Sequence, residues 1–286
     1  MNLKAEGVRP RLIIVAGPTA VGKTAYAIRL ARELETEIVS CDSRQFYREM
    51  RIGVARPSDE ELAAVPHHFV ACRSVTEPYN IFDYRRDALG VIRDLTGRYG
   101  CAVAVGGSGL YIDALLHEVS PMPDADPALR TRLQQMPLEE KRTLLQRLDP
   151  DYYARVDLRN PVRLQRALEV CLTTGRPYSQ VIADRQDRQV DRQPEWDVEV
   201  RVLPMEREEL RARIDRRVDL MMADGLLDEV RSLVPYRHLN TLATVGYREL
   251  FPVLDGEEEL DHAVGMIKLN TWHYARKQLT WMRRYL

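Results

Sequence analysis

The sequence predicts an α/β fold: a doubly wound parallel sheet built on a P-loop and interrupted by an all-α insertion. Three observations predict it. The apolar, strand-like run Leu12 to Ala16 is followed by a glycine loop, Gly17 to Thr24, and then by a helical pattern from Ala25 to Leu34. Strand-like and helix-like segments then alternate as far as His117, the pattern of a parallel sheet with helices on both faces. From Pro121 to about Trp196 strand-like runs stop and helical patterns replace them. Residues 1–120 and 197–286 are therefore expected to form the core, and residues 121–196 the helical insertion.

The elements follow in order. After the first helix, Glu37 to Cys41 reads as a strand and His67 to Cys72 as a short one. Phe82 to Tyr99 is helical, with Ile81, Leu89, Ile92 and Leu95 on or near one face. Cys101 to Val105 is a buried strand ending at Gly106-Gly107, and Leu110 to His117 a helix. In the insertion, helices are expected over Pro127 to Gln135, Leu138 to Leu148 and Pro161 to Thr174. The last has Asn160 as N-cap, proline at its first position and Gly175 as its stop. Asp184 to Pro194 is polar and reads as a loop. Val198 to Leu203 returns to strand. Helices are then expected over Arg207 to Asp224, stopped by Gly225, and over Leu226 to Val234, Val245 to Leu254 and Leu260 to Arg284.

Composition narrows the function. Forty-two Lys and Arg balance 43 Asp and Glu, a net charge of −1, so no global basic signal marks the chain for nucleic acid. The last stretch, Lys268 to Leu286, is different. It holds five Lys and Arg, no acid, and Trp272, Tyr274, Trp281 and Tyr285 between them. Such a stretch suits nucleic acid or a packing helix with solvated arginines. No apolar run is long enough to span a membrane. The N-terminus lacks a signal-peptide core, and a cytoplasmic, monomeric enzyme is expected. Cys41, Cys72, Cys101 and Cys171 are far apart among apolar neighbours and read as buried thiols, not zinc ligands. His67 and His68 alternate along a strand-like run, which argues against a shared metal and favours structural roles.

The chemistry starts at Gly17-Pro18-Thr19-Ala20-Val21-Gly22-Lys23-Thr24, a full G-x-x-x-x-G-K-T between strand and helix. Loop N–H groups and the helix N-terminus suit an anion. Lys23 can reach terminal phosphates, and the Thr24 hydroxyl can ligate Mg²⁺. Asp42 follows the second strand, where a carboxylate can be a general base, a group supporting Mg²⁺, or a cap. A P-loop hydrolase needs a second strand ending in an acid; Ala102 to Val105 ends in Gly106 and Gly107 instead. ATP hydrolysis is disfavoured. A small-molecule kinase, or a transferase with pyrophosphate as leaving group, remains.

Four separated segments then resemble the tRNA dimethylallyltransferase (tRNA isopentenyltransferase) family. They are Gly17 to Thr24, Ser40 to Gln45 with Tyr47, Gly106 to Tyr111, and Tyr274 to Gln278. Arg163 to Glu169 and Val245-Gly246-Tyr247 extend the resemblance over nearly the whole chain, which lacks the zinc-finger extension of eukaryotic members and so resembles the bacterial type. The resemblance implies dimethylallyl diphosphate and a tRNA anticodon stem-loop as substrates. Prenylation falls on N6 of the adenosine 3′ of the anticodon, with Mg²⁺ as cofactor. It implies Asp42 as base, with Lys23, Thr24 and Arg217 on the diphosphate. It implies tRNA contacts at Asp42, Ser43, Arg44, Gln45 and Ser108, and in the insertion at Arg130, Gln165, Arg166, Ala167, Leu168 and Glu169. Ser108 stands where the family commonly has threonine, and Arg56 where it has lysine. Arg159, Arg163 and Arg166 are spaced as one helical stripe. The alternatives are a P-loop kinase, a prenyltransferase of free adenine nucleotides, and a non-enzymatic RNA-binding module that would leave Lys23, Thr24 and Asp42 unused.

Overall fold

The computed structural model describes residues 9–117, 123, 126–186 and 195–286. The chain divides into two compact units, Met1–His117 with Pro194–Leu286, and Glu118–Gln193.

In the first unit β1 (Arg11–Ala16), α1 (Lys23–Glu33), β2 (Ile38–Ser40), α2 (Asp59–Ala64), β3 (His67–His68), α3 (Ile81–Tyr99), β4 (Cys101–Gly106) and α4 (Gly109–Leu116) follow in order. Five strands, completed by β5 (Asp197–Val202), make one sheet in the order β3-β2-β4-β1-β5. Every pairing is parallel. The apolar runs of β1 and β4 are continuous rather than alternating because both faces are covered. Leu12, Ile14, Ala102 and Ala104 pack with Leu89, Ile92 and Leu95 of α3 on one face. Ile13, Val15, Val103 and Val105 pack with Ala27, Leu30 and Ala31 of α1 on the other.

Register sets the site. Ser40 lies opposite Val105, and Ala16 opposite both Gly106 and Val202. The segments that follow β1, β2 and β4 therefore leave the sheet at one edge, where ligands bind in open α/β sheets.

The other unit holds α5 (Pro127–Gln135), α6 (Leu138–Leu148), α7 (Pro150–Tyr153), α8 (Pro161–Thr174) and α9 (Tyr178–Gln186), and no strand among its described residues. Leu133, Leu145, Leu164, Ala167 and Leu168 form its core. Asn160 caps α8 by accepting from Arg163 N at 3.1 Å. The first unit then continues after β5 with α10 (Arg207–Ala223), α11 (Leu226–Ser232), α12 (Phe251–Leu254) and α13 (Leu260–Met282).

Some expectations are corrected. Val245 to Leu254 is not one helix: Gly246 sits at φ +96°, so the chain turns there and only Phe251–Leu254 is helical. The strand expected over His67 to Cys72 stops at His68, because Phe69 and Ala71 adopt left-handed φ of 64° and 48°. The polar stretch from Asp184 starts inside α9, and residues 187–194 lie outside the described ones. Cys72 is half-buried rather than buried, and all four cysteines are free. His67 Nδ1 lies 2.7 Å from Val65 O, and His68 Nε2 2.7 Å from Glu37 Oε2, so each has its own partner. No helix among the described residues is long and apolar enough to cross a membrane.

Candidate active site

A cleft of about 700 Å³ opens at the edge of the sheet where β1, β2 and β4 end. Thr19, Ala20, Gly22, Lys23 and Thr24 line one side. Asp42, Ser43, Arg44, Gln45 and Arg217 line it as well. Gly17, Pro18 and Val21 are the buried residues of the loop, and Ser108 is buried at 7% exposure. The sequence-named residues of the first unit thus share one concavity or its floor.

The loop after β1 is wound tightly. Ala20 takes φ 66° and Gly22 φ 95°, and Gly22 caps α1 without a side-chain bond. Successive N–H groups in such a conformation form an anion concavity. Lys23 Nζ donates to Pro18 O at 2.7 Å, which folds the ammonium back over the loop. The Lys23 pKa is lowered to about 8, mainly by burial and also by the positive charge of Arg217, with Asp42 opposing both. Burial also lowers the Arg217 pKa, again opposed by Asp42. Two cations and one carboxylate are therefore close enough to sense one another, with the cations in excess.

Asp42 has two uses for its two oxygens. Oδ1 accepts from Arg44 N at 2.8 Å and Gln45 N at 3.2 Å, so it caps its own turn. Among the described residues no hydrogen bond is made to Oδ2. The cap thus fixes the carboxylate's orientation without consuming it. The Gln45 amide is already engaged: Oε1 accepts from Ser40 Oγ at 3.3 Å, and Nε2 donates to Ala55 O at 3.0 Å. Ser43 N donates to Ser108 Oγ at 3.3 Å, and Ser108 Oγ lies 3.5 Å from Tyr274 OH. Cys41 is buried beside Asp42, and burial raises its pKa to about 12, which keeps the thiol inert.

The sequence reading assigned no role to three supports, all joined through long-range contacts, although two of them, Tyr274 and Gln278, delimit a segment that carries the resemblance. Gln278, from α13, accepts from Thr19 N at 2.9 Å and donates to Gly107 O at 2.9 Å. It straps the loop after β1 to the end of β4. A side chain at position 107 would collide with the Gln278 amide, so only glycine admits this strap. Tyr274 lines the same cleft with 41% of its surface exposed, and burial of its hydroxyl end, with Asp42 nearby, raises its pKa.

Glu229 of α11 is the third support. Its carboxylate accepts from the backbone N–H groups of Arg51 (3.0 Å), Ile52 (2.7 Å) and Gly53 (3.1 Å), and from Tyr247 OH at 2.6 Å. These bonds hold Gly53 to Ala55, which line the cleft, against the turn around Gly246. Glu229→Ala leaves these donors without their acceptor. It is expected to cost about 2–3 kcal/mol and to lower the melting temperature by roughly 5–10 °C, measured by thermal unfolding.

In the second unit Glu169 is 4% exposed and gathers its neighbours. It accepts from Arg130 Nε at 3.4 Å, Gln165 Nε2 at 3.1 Å and Arg166 Nη1 at 3.0 Å. Four of the residues named for RNA contact therefore form one polar cluster. The other two are corrected: the Ala167 and Leu168 side chains are fully buried in the core of the unit and serve packing. Arg159 precedes the N-cap of α8 and pairs with Asp157 at 3.5 Å, so the helical stripe is Arg163 and Arg166 only.

Residues 45–285 match the family model for IPP transferase. The chain is 43% identical over 279 residues to a tRNA dimethylallyltransferase of Christiangramia forsetii, covering 96% of this chain and 90% of that protein. It is 44% identical over 279 residues to tRNA dimethylallyltransferase 1 of Bacteroides thetaiotaomicron, covering 96% and 89%. Among solved structures, a tRNA isopentenylpyrophosphate transferase of Bacillus halodurans gives a TM-score of 0.68 at 33% identity, covering 96% of this chain and 87% of that one. A eukaryotic dimethylallyltransferase acting on tRNA gives 0.77 at 25% identity, covering 96% and 70%. With a family match over most of its residues and such relatives along nearly its whole length, this chain belongs to the IPP transferase family.

Proposed function

We propose that this chain transfers a dimethylallyl group from dimethylallyl diphosphate to N6 of the adenosine immediately 3′ of the anticodon in tRNA, releasing pyrophosphate. One observation carries the reading. A single cleft holds a cationic, anion-shaped loop, a carboxylate with one unengaged oxygen, and an apolar wall that includes Val54, Val218, Met221, Val245 and Ile267. A diphosphate needs the first, an amine nucleophile the second, and a five-carbon chain the third.

The chemistry follows from charge. The N6 lone pair attacks the allylic carbon. The carbon–oxygen bond breaks with its electron pair going to the diphosphate, and the N6 proton passes to Asp42. The leaving group is a polyanion, and its departure is assisted by donors fixed before reaction, namely the loop N–H groups, Lys23 and Arg217. The donor set also fits Mg²⁺. Among the described residues no cluster of His, Cys, Asp or Glu could cage a metal. In P-loop sites the loop's Ser/Thr hydroxyl helps hold Mg²⁺ beside substrate phosphate and water, and Thr24 at the cleft would be that hydroxyl. When bound, Mg²⁺ would neutralise phosphate charge. We read the sheet and its loop as a P-loop core, and the second unit as a helical insertion whose Arg130–Glu169 cluster meets the RNA.

The kinase alternative needs a phosphoryl acceptor but gives no role to the apolar wall. Pyrophosphate release tests the choice. It should require both tRNA and dimethylallyl diphosphate, and ATP should not substitute for the donor. Transfer of the γ-phosphate of ATP to a small molecule, or AMP replacing tRNA as acceptor, would overturn the reading.

A further inference from the structure

Tyr84, in the first turn of α3, is fully buried, and a phenol in a core needs a hydrogen-bond partner. Its hydroxyl donates to Ser40 O at 3.1 Å and lies 3.2 Å from Cys41 Sγ. Burial holds the Tyr84 pKa well above its ordinary value, so the hydroxyl keeps the proton it donates. Three rings fix the phenol, with centroids at 4.8 Å for Tyr111, 5.5 Å for Phe69 and 5.6 Å for Phe46. The start of its helix is anchored too: Asn80 caps α3 by accepting from Phe82 N at 2.8 Å and Asp83 N at 3.2 Å.

The bond falls where the sheet runs out. β2 is three residues long, and β3 pairs with it only at Ile38 and Val39. Phe69 then turns the chain away at φ 64°. Cys41 N donates toward β4, to Val105 O at 2.7 Å. In a trans peptide the carbonyl points opposite to the N–H, so Ser40 O faces the side where β3 has ended. Tyr84 supplies the donor that a longer β3 would have given, which a buried carbonyl requires. On the β4 side the fit is equally close: a Cβ at Gly106 would lie 2.5 Å from Cys41 O and 2.7 Å from Cys41 Cβ. The exit of β2 is therefore held from both sides, and the next residue is Asp42.

We propose that Tyr84 is a positioning residue for prenyl transfer: its hydroxyl, bonded to Ser40 O, fixes the end of β2 and so aims Oδ2 of Asp42 at the acceptor amine. The proposal rests on the reading of Asp42 as the base. Fully buried, Tyr84 touches neither substrate and moves no proton; it acts through the backbone of Ser40 and Cys41. A base works only within hydrogen-bond reach of the proton it takes, and a misplacement of about 1 Å can cost roughly 10² in rate. Loss of the hydroxyl therefore falls on the chemical step. It spares donor binding, because the loop that suits the diphosphate leaves β1 and not β2.

The test is Tyr84→Phe, which removes the oxygen and keeps the ring. Its control is Thr36→Val, which removes another buried hydroxyl-to-carbonyl bond, Thr36 Oγ1 to Cys101 O at 2.8 Å, at the opposite end of the sheet. Both variants should melt a few degrees lower. Single-turnover transfer at saturating tRNA and dimethylallyl diphosphate should slow about tenfold or more in Tyr84→Phe. Thr36→Val should keep the wild-type rate. Dissociation constants for both substrates should stay within about twofold of wild type in each variant. In an Asp42→Asn background Tyr84→Phe should cause no further slowing, because the group it aims is gone. That residual rate is read by mass spectrometry of tRNA over long incubations. An unchanged rate in Tyr84→Phe, an equal loss in Thr36→Val, or a loss that multiplies with that of Asp42→Asn overturns the positioning role alone. Wild-type turnover in Asp42→Asn overturns the base itself, and that single variant shows it without Tyr84.

Discussion

Asp42→Asn should abolish most turnover while leaving the fold and tRNA affinity nearly intact. Asparagine keeps an Oδ1 acceptor for Arg44 N and Gln45 N, so the turn that positions residue 42 survives. What is lost is the capacity to take the N6 proton. Loss of a general base costs about 10²–10⁴ in rate, or about 3–5 kcal/mol of barrier. Asp42→Ala removes the cap as well and should cost about a further 1 kcal/mol of stability. A second signature separates a lost base from local damage. Asp42 raises the Lys23 pKa, so in Asp42→Asn the lysine loses its proton at lower pH. The alkaline limb of donor affinity should shift downward in pH. Single-turnover rates and donor titrations across pH read both effects. Intact turnover in Asp42→Asn would remove Asp42 from the chemistry.

Lys23→Met should separate stability from function. The folded protein lowers the Lys23 pKa from 10.5 to about 8, mainly through burial. Between those values the unfolded chain binds more protons than the folded one, so stability rises with pH through this window. Below about pH 8 the buried charge costs up to about 3 kcal/mol, offset by its bond to Pro18 O. Replacement by methionine removes that cost. The ligand-free variant should melt at or above the wild-type temperature near pH 7, and its stability should lack the rise between pH 8 and 10.5. Its affinity for dimethylallyl diphosphate should fall at least about 100-fold, because a charge-assisted contact to the leaving group is gone. In the wild type, donor affinity should decline as pH rises through about 8, where the empty site loses its ammonium. Lys23→Arg should keep binding into more alkaline solution. A variant that unfolds at lower temperature, with donor affinity unchanged, would show that Lys23 is structural.

Local features were legible in the sequence where one signal decided them. Leu12 to Ala16 had to be a covered strand, because an apolar run that short, followed by a glycine loop and a helix, has few other uses. Asn160-Pro161 and Gly175 marked the ends of α8 to the residue. The supports of the site were not legible, because they act across the chain. Gln278 bonds to Thr19 over 259 positions, and Glu229 to Gly53 over 176. Gln278 lies in the Tyr274 to Gln278 segment that carries the resemblance, but nothing in that segment names its partners, and a glutamate on a helix carries no sequence signal for such a role. Ala167 and Leu168 failed for the opposite reason. A segment matched as a unit to an RNA-contacting stretch, yet helical periodicity sends two of its side chains inward and leaves Gln165 and Arg166 half-buried on the polar side. Val245 to Leu254 looked helical by apolar spacing, and the left-handed turn at Gly246 overrode it.

The most direct measurement is mass spectrometry of tRNA lacking modifications, incubated with the full chain, Mg²⁺ and dimethylallyl diphosphate, then digested to nucleosides. The expected result is one dimethylallyl group in place of one hydrogen on the adenosine 3′ of the anticodon, with none in Asp42→Asn on the same time scale. Unmodified tRNA from folded protein, or the group on a different nucleoside, would contradict it.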